Sequence, residues 1–210
     1  MQALSEKGAG VDAVDKKGRT ALGCAIKHGR EECALWLLEE AGASWHATFP
    51  SDVGGRLSML ELAAECGCPR VVKSLLRRMC AEADNTAGAE EEGIWEAMQR
   101  AAGRAAFRGS LASLKALVEE DLDMKAARVM HEVPQELLDD GVDVRDGSED
   151  GEDLLAVVRY GLLTPAAHGG QQGVVEFLIE EGYNPYGGDD DCGMLPHVMA
   201  AMHGYTSLLE

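Results

Sequence analysis

The chain has 210 residues, is 46% apolar and 27% charged, and carries a net charge of −18, which allows one domain, or one elongated array, with a core of its own. No stretch reaches the ~18 apolar residues of a membrane span, and the opening MQALSEKGAG lacks the basic-then-apolar pattern of a signal peptide. Residues 1–118 hold 15 Lys and Arg against 16 Asp and Glu, whereas residues 119–210 hold 4 against 21; that field repels nucleic acid and anionic lipid, and it favours a basic partner or simply keeps the protein soluble.

In chain order, one pattern recurs. A small-residue helix ends in Gly, and an apolar pair follows on the next helix. The copies are Ala25–Gly29 with Leu37-Leu38, Ala63–Gly67 with Leu75-Leu76, Ala105–Gly109 with Leu117-Val118, and Ala166–Gly170 with Leu178-Ile179. A fifth begins at Ala200-Ala201 and Gly204 and runs off after Leu208-Leu209. The Gly-to-Gly spacings are 38, 42, 61 and 34 residues. The alanine pairs let neighbouring helices approach closely, and Gly takes a left-handed C-cap without steric cost. The second helices place Val71, Val72, Leu75 and Leu76, or Val174, Val175, Leu178 and Ile179, at helical spacing. No single unit buries that surface alone, but stacked neighbours do.

The copies differ in detail. Cys33 falls in the slot of Val71 and is expected in the core. In the third copy Ile94, Trp95 and Met98 extend the first helix backwards. In the fourth, anchoring on Gly170 puts Thr164 and Pro165 in the first turn of a helix, where a missing N–H costs least. Two loops carry extra residues: 41–57, with Trp45, His46, Phe49 and Pro50, and 77–93, with Glu90, Glu91 and Glu92. Loops of more than ~12–15 residues are usually functional or disordered. The main departure is an insertion over 119–160. Its residues 119–153 hold 14 acids and 3 bases, and its Val129, Met130, Val133, Leu137 and Leu138 suit one helical face broken near Pro134.

These residues resemble the ankyrin repeat family. The first copy runs Asp15-Lys-Lys-Gly18-Arg-Thr20-Ala21-Leu22, then Ala25, Gly29, Leu37-Leu38 and Gly42-Ala43. The last runs Asp190 to Gly193, Leu195-Pro196-His197, Ala200-Ala201 and Gly204. The resemblance implies an all-α, ankyrin-like solenoid of stacked antiparallel helix pairs with turn or hairpin loops and an acidic insertion. It implies one domain over 1–210, with units at 1–14 (partial), 15–47, 53–88, 93–124, 155–187 and 188–210 (partial). An array that starts near the end of one unit and stops within another suggests a piece of something longer, or frayed ends.

Local chemistry is sparse. Asp146-x-Ser148-x-Asp150-Gly151 partly matches a calcium loop, but its twelfth position is Val157 where a bidentate Glu is needed. Cys66, Cys68 and Cys80 lack zinc spacing and suit buried free thiols. Six cysteines without framework spacing suggest a reducing, intracellular and cytoplasmic setting. The histidines form no catalytic arrangement, and no nucleophile elbow, P-loop or dinucleotide motif occurs.

The function expected is a non-enzymatic scaffold or adaptor without cofactor, monomeric or part of a longer array. It would bind a protein partner, with no nucleic acid or membrane. The resemblance places the partner on the concave face, at turn tips and first helices. By slot, the outward residues are Lys27, Glu65, Phe107, His168 and Met202, with Arg108 next to Phe107. The turn-tip candidates are Lys16, Lys17 and Arg19. The alternative function is a module regulated by a ligand or calcium on its acidic loops.

Overall fold

Five glycines stand just past the ends of five helices with left-handed backbone: Gly29, Gly67, Gly109, Gly170 and Gly204, at φ between 65° and 76°. Each closes the same bracket. The Gly29 amide donates to the Ile26 carbonyl, and the Arg30 amide donates to the Ala25 carbonyl. The same two bonds recur at Gly67 and Cys68, Gly109 and Ser110, Gly170 and Gln171, and Gly204 and Tyr205. This is a Schellman end, which satisfies two orphan carbonyls and turns the chain into the next helix. The accepting carbonyls belong to the alanine-rich pair of each copy, so one short sequence both thins the helix and ends it.

The computed structural model describes residues 10–51, 55–83, 91–119, 162–183, 185 and 195–209. The chain divides into two compact units, Met1–Leu117 and Val118–Glu210. In the first, α1 is Ala21–Lys27 and α2 is Glu31–Glu39. A short antiparallel hairpin follows, β1 (Thr48–Pro50) with β2 (Arg56–Ser58), in a register that pairs Phe49 with Leu57. Then come α3 (Met59–Glu65), α4 (Pro69–Ala83) and α5 (Glu91–Arg108), and residues 111–119 form α6. In the second unit, α7 is Leu163–His168, α8 is Gln172–Glu180 and α9 is Pro196–His203, ending on a 3-10 turn at Thr206–Leu208.

First helices pack on first helices: α1 on α3, and α3 on α5, in unit 1, and α7 on α9 in unit 2. Second helices follow, α2 on α4. The fold is all-α and ankyrin-like apart from the one hairpin. Ala63, Ala64, Ala105, Ala106 and Ala166 are wholly buried, as close helix approach requires. Leu38, Leu62, Leu75, Leu114 and Leu178 fill the space between pairs. Two hydroxyls start the first helices. Thr20 Oγ1 accepts from the Gly23 amide, and Ser58 forms a reciprocal capping box with Glu61. Thr164 and Pro165 do sit in the first turn of α7.

Three expectations change. Cys33 is exposed rather than in the core. Val71 is buried because α2 packs on α4, whereas the outer side of α2 meets no earlier helix among the described residues, and Ala34, Leu37 and Leu38 face the core instead. The excess residues at 77–93 are partly helix, because α4 continues to Ala83 and α5 begins at Glu91. The excess at 41–57 contains the hairpin, which buries Phe49. The insertion beyond residue 119, Asp190 and the carboxylates of the calcium-like loop lie outside the described residues.

Candidate interaction surfaces

The first turn of unit 1 is organised by Asp15. Its Oδ1 accepts from the amides of Lys17 (2.8 Å) and Arg19 (3.0 Å), and its Oδ2 accepts from Arg19 Nε at 2.8 Å. The Arg19 side chain beside it, followed by the backbone amides, holds the Asp15 carboxyl down at about 2. Lys16 and Lys17 are exposed on this turn. Arg56 ties the next turn to it, donating to the Gly18 carbonyl at 3.4 Å and the Thr48 carbonyl at 2.8 Å. The adjoining tips are therefore rich in cations.

The first-helix ends of unit 1 carry a charge ladder. Arg100, Arg104 and Arg108 lie one turn apart on α5. Arg100 meets Glu61 at 3.4 Å, and the Glu65 carboxylate takes Arg104 at 3.1 Å and Arg108 at 2.8 Å. The Glu65 side chain is only 7% exposed, and its carbonyl also accepts from Ser110 Oγ. Glu65 and Arg108 thus hold each other between repeats, while Lys27 is half-buried. Phe107, on the same stretch, is 40% exposed.

This ladder makes a stability prediction. A buried pair that loses one partner costs about 3–5 kcal/mol, while an exposed pair is worth about 0–1 kcal/mol. One nearly buried carboxylate holding two half-exposed guanidiniums falls between, so Glu65→Ala is expected to cost about 2 kcal/mol. Urea unfolding followed by tryptophan fluorescence reads it, because Trp36, Trp45 and Trp95 all belong to unit 1. An unchanged midpoint would remove the ladder from the interactions that hold α3 to α5.

In unit 2 the first-helix ends bring rings together. His168 and His203 stack with centroids 4.7 Å apart, and His203 continues onto Tyr205 at 5.9 Å. Both imidazoles are exposed, and Met202 is 66% exposed. His197, at the start of α9, is also exposed.

A fourth cluster lies on the two inserted segments of unit 1. Trp45 stacks on His46 at 3.7 Å, Trp45 Nε1 donates to Glu82 Oε1 at 3.1 Å, and His46 Nε2 lies 3.3 Å from Glu82 Oε2. The longer loop and the longer helix α4 therefore brace each other. Of the described cysteines only Cys68 is buried, which corrects the expectation of buried thiols in general. Burial pushes its thiol up to about 11, and it donates weakly to the Ile26 carbonyl at 3.7 Å. No group of three or more metal-ligating side chains occurs among the described residues. No described helix is long and apolar enough to cross a membrane.

The family model for ankyrin repeats matches residues 1–88, as three copies. Over those residues the chain is similar to ankyrin repeats. No curated protein matches the chain. Beyond the matched ankyrin segment, the helix–glycine–helix bracket recurs at Gly109, Gly170 and Gly204. Ankyrin repeats are generally protein-interaction modules and typically non-enzymatic.

The slot comparison placed Phe107, Arg108, His168 and Met202 outward, and all four are exposed, but it did not point to their neighbours. Arg100 and Arg104 were legible as an i, i+4 series with Arg108, set against Glu61 and Glu65 on the helix before. The approach of Arg56 to Gly18, 38 residues apart, and of Trp45 to Glu82, 37 apart, had no local signal.

Proposed function

We propose that this chain is a non-enzymatic scaffold or adaptor that receives a partner protein on the turn tips and first helices of its units, each unit presenting its own surface. One observation carries the reading: the same outward slot bears exposed apolar side chains in two different copies, Phe107 at 40% and Met202 at 66% exposure. Single exposed apolar side chains are normal on a protein surface, so the support lies in their recurrence at one slot and in the enrichment of aromatic residues and Met at interfaces. Lys16, Lys17, Arg19, Lys27 and Arg108 join Phe107 as the proposed contact residues of unit 1, and His168 joins Met202 as those of unit 2. Glu65 serves the unit 1 set indirectly, by fixing Arg108. Residues 119–210, with 4 Lys and Arg against 21 Asp and Glu, would draw a basic partner towards the second unit and not towards the cation-rich tips of unit 1. Free thiols on both exposed and half-buried positions fit a reducing, cytoplasmic setting.

The test uses the full chain as bait, with cross-linking and mass spectrometry of what it captures. Cross-links are expected at the turn tips and first helices, and Phe107→Asp with Met202→Asp is expected to abolish capture. Cross-links confined to α2, α4 and α8 would sink the proposal. A basic partner steered by charge should associate on the order of tenfold more slowly at high than at low salt. A salt-independent rate would remove the basic partner while leaving the surface.

A further inference from the structure

A groove of about 430 Å³ runs along α1, its turn and the start of α2, lined by Ala21, Cys24, Ala25, His28, Arg30 and Cys33. Two of the six are free thiols, Cys33 exposed and Cys24 half-buried. Cys24 lies three residues before the end of α1, and Cys33 two residues after the start of α2. In two helices joined by a tight turn they therefore stand at nearly the same level, and both face the groove. The polar head groups of the lining are those of His28 and Arg30, and no described carboxylate lines it. The two carboxylates next to Cys33 in the chain are held by α4 instead. Glu31 accepts from the Arg70 amide at 3.0 Å, and Glu32 pairs with the Arg70 guanidinium. The Arg30 guanidinium forms no hydrogen bond or ion pair with a described residue.

We propose that this groove is a site of thiol–disulfide exchange with an anionic low-molecular-weight disulfide of the glutathione disulfide class. The site is independent of the adaptor reading. Arg30 holds a carboxylate of the disulfide, as a guanidinium does well. The Cys33 thiol gives its proton to solvent, and its sulfur attacks one sulfur of the disulfide. The S–S bond breaks and the other half leaves as a thiolate. Cys24, likewise deprotonated by solvent, attacks the Cys33 sulfur of the mixed disulfide. A Cys24–Cys33 bond forms, and the second thiolate leaves. The small disulfide is the oxidant: it takes two electrons and becomes two thiols, while the protein pair loses two. Cys68 is the contrasting thiol, since burial pushes it up to about 11 and leaves it little thiolate.

The test incubates the full chain with glutathione disulfide or with the uncharged bis(2-hydroxyethyl) disulfide and follows each cysteine by mass spectrometry. Cys80, half-buried and outside the groove, is the reference thiol. Relative to Cys80, Cys33 is expected to react about threefold to fivefold faster with the anionic disulfide than with the uncharged one, the factor one exposed ion pair supplies. Arg30→Gln should erase that preference while amide protection in α1 and α2 persists, and so should high salt. Cys24→Ser should trap the mixed disulfide at Cys33, whereas the native chain should end with a Cys24–Cys33 disulfide. Cys68 should stay unmodified in the folded chain. Equal relative rates with the two disulfides, or a preference that survives Arg30→Gln, overturns the proposal. So does a native chain that keeps the mixed disulfide as long as Cys24→Ser does, or a Cys33–Cys33 bond between two copies as the main product.

Discussion

Gly23→Ala is expected to destabilise unit 1 by about 1–2 kcal/mol, although alanine is the better helix former. Gly23 lies inside α1, where alanine alone would add about 1 kcal/mol. A Cβ there would enter the ring of Phe49, which stands within contact of the glycine Cα side. Phe49 is 4% exposed and is held in β1 by pairing with Leu57. To admit the methyl group, the hairpin must shift, and overpacking of this kind costs about 1–3 kcal/mol. Phe49→Ala is expected to cost more, about 3–4 kcal/mol, because it opens a cavity under the hairpin. The pair gives a decisive cycle. In the Phe49→Ala background, Gly23→Ala should become stabilising by about 0.5–1 kcal/mol. Urea titration read by tryptophan fluorescence measures all four proteins. A stabilising Gly23→Ala in the native background would mean that the hairpin does not press on α1.

Gly170→Ala is expected to cost about 3 kcal/mol, whereas Gly29→Ala costs about 1–2. The backbone strain is the same, since φ is +66° at Gly170 and +65° at Gly29, and a left-handed non-glycine residue costs about 1–2 kcal/mol. The surroundings differ. Nothing lies within 4 Å of a Cβ at position 29, but at position 170 the Tyr205 ring is 2.8 Å away. Moving that ring adds roughly another 1–2 kcal/mol of overpacking. Hydrogen exchange of the α7–α9 amides reads the loss in unit 2, and tryptophan fluorescence reads Gly29→Ala in unit 1. Replacing Tyr205 by Ala as well should bring the Gly170→Ala penalty down to that of Gly29→Ala. Equal penalties in the two single variants would show that Tyr205 yields freely.

Particular residues show how much of this was legible beforehand. The alanine pairs, the five glycines and the leucine pairs were readable because their causes are local. A left-handed cap, a helix interface without bulk and an apolar face at helical spacing each leave a mark within a dozen residues. Thr164-Pro165 shows the strength of that periodicity, because the position of Gly170 alone placed both residues in the first turn of α7. Cys33 shows its limit. Slot equivalence with Val71 implied burial, but burial needs a neighbour on the outer side of the helix, and slot position carries no information about that.

The candidate surface divides the same way. Its exposed apolar groups, Phe107 and Met202, followed from the repeat phase alone. Whether a charged residue in those slots is available to a partner did not. Glu65 and Arg108 occupy outward slots, yet they face each other across two repeats. His168 and His203 become one feature only when α7 and α9 pack side by side.

By itself, then, the sequence determined the repeat, the helix ends, the all-α fold and the segregation of acid into the second half of the chain, because each depends on bonds and packing within one unit. The tertiary structure alone decided what lies across from what: Phe49 against Gly23, Arg56 on Gly18, Glu65 between two arginines, Tyr205 over Gly170. Those partners stand 26 to 43 residues apart or belong to different helices. Stacking one repeat on the next brings them within a few ångströms, and no local energetic preference marks them in advance.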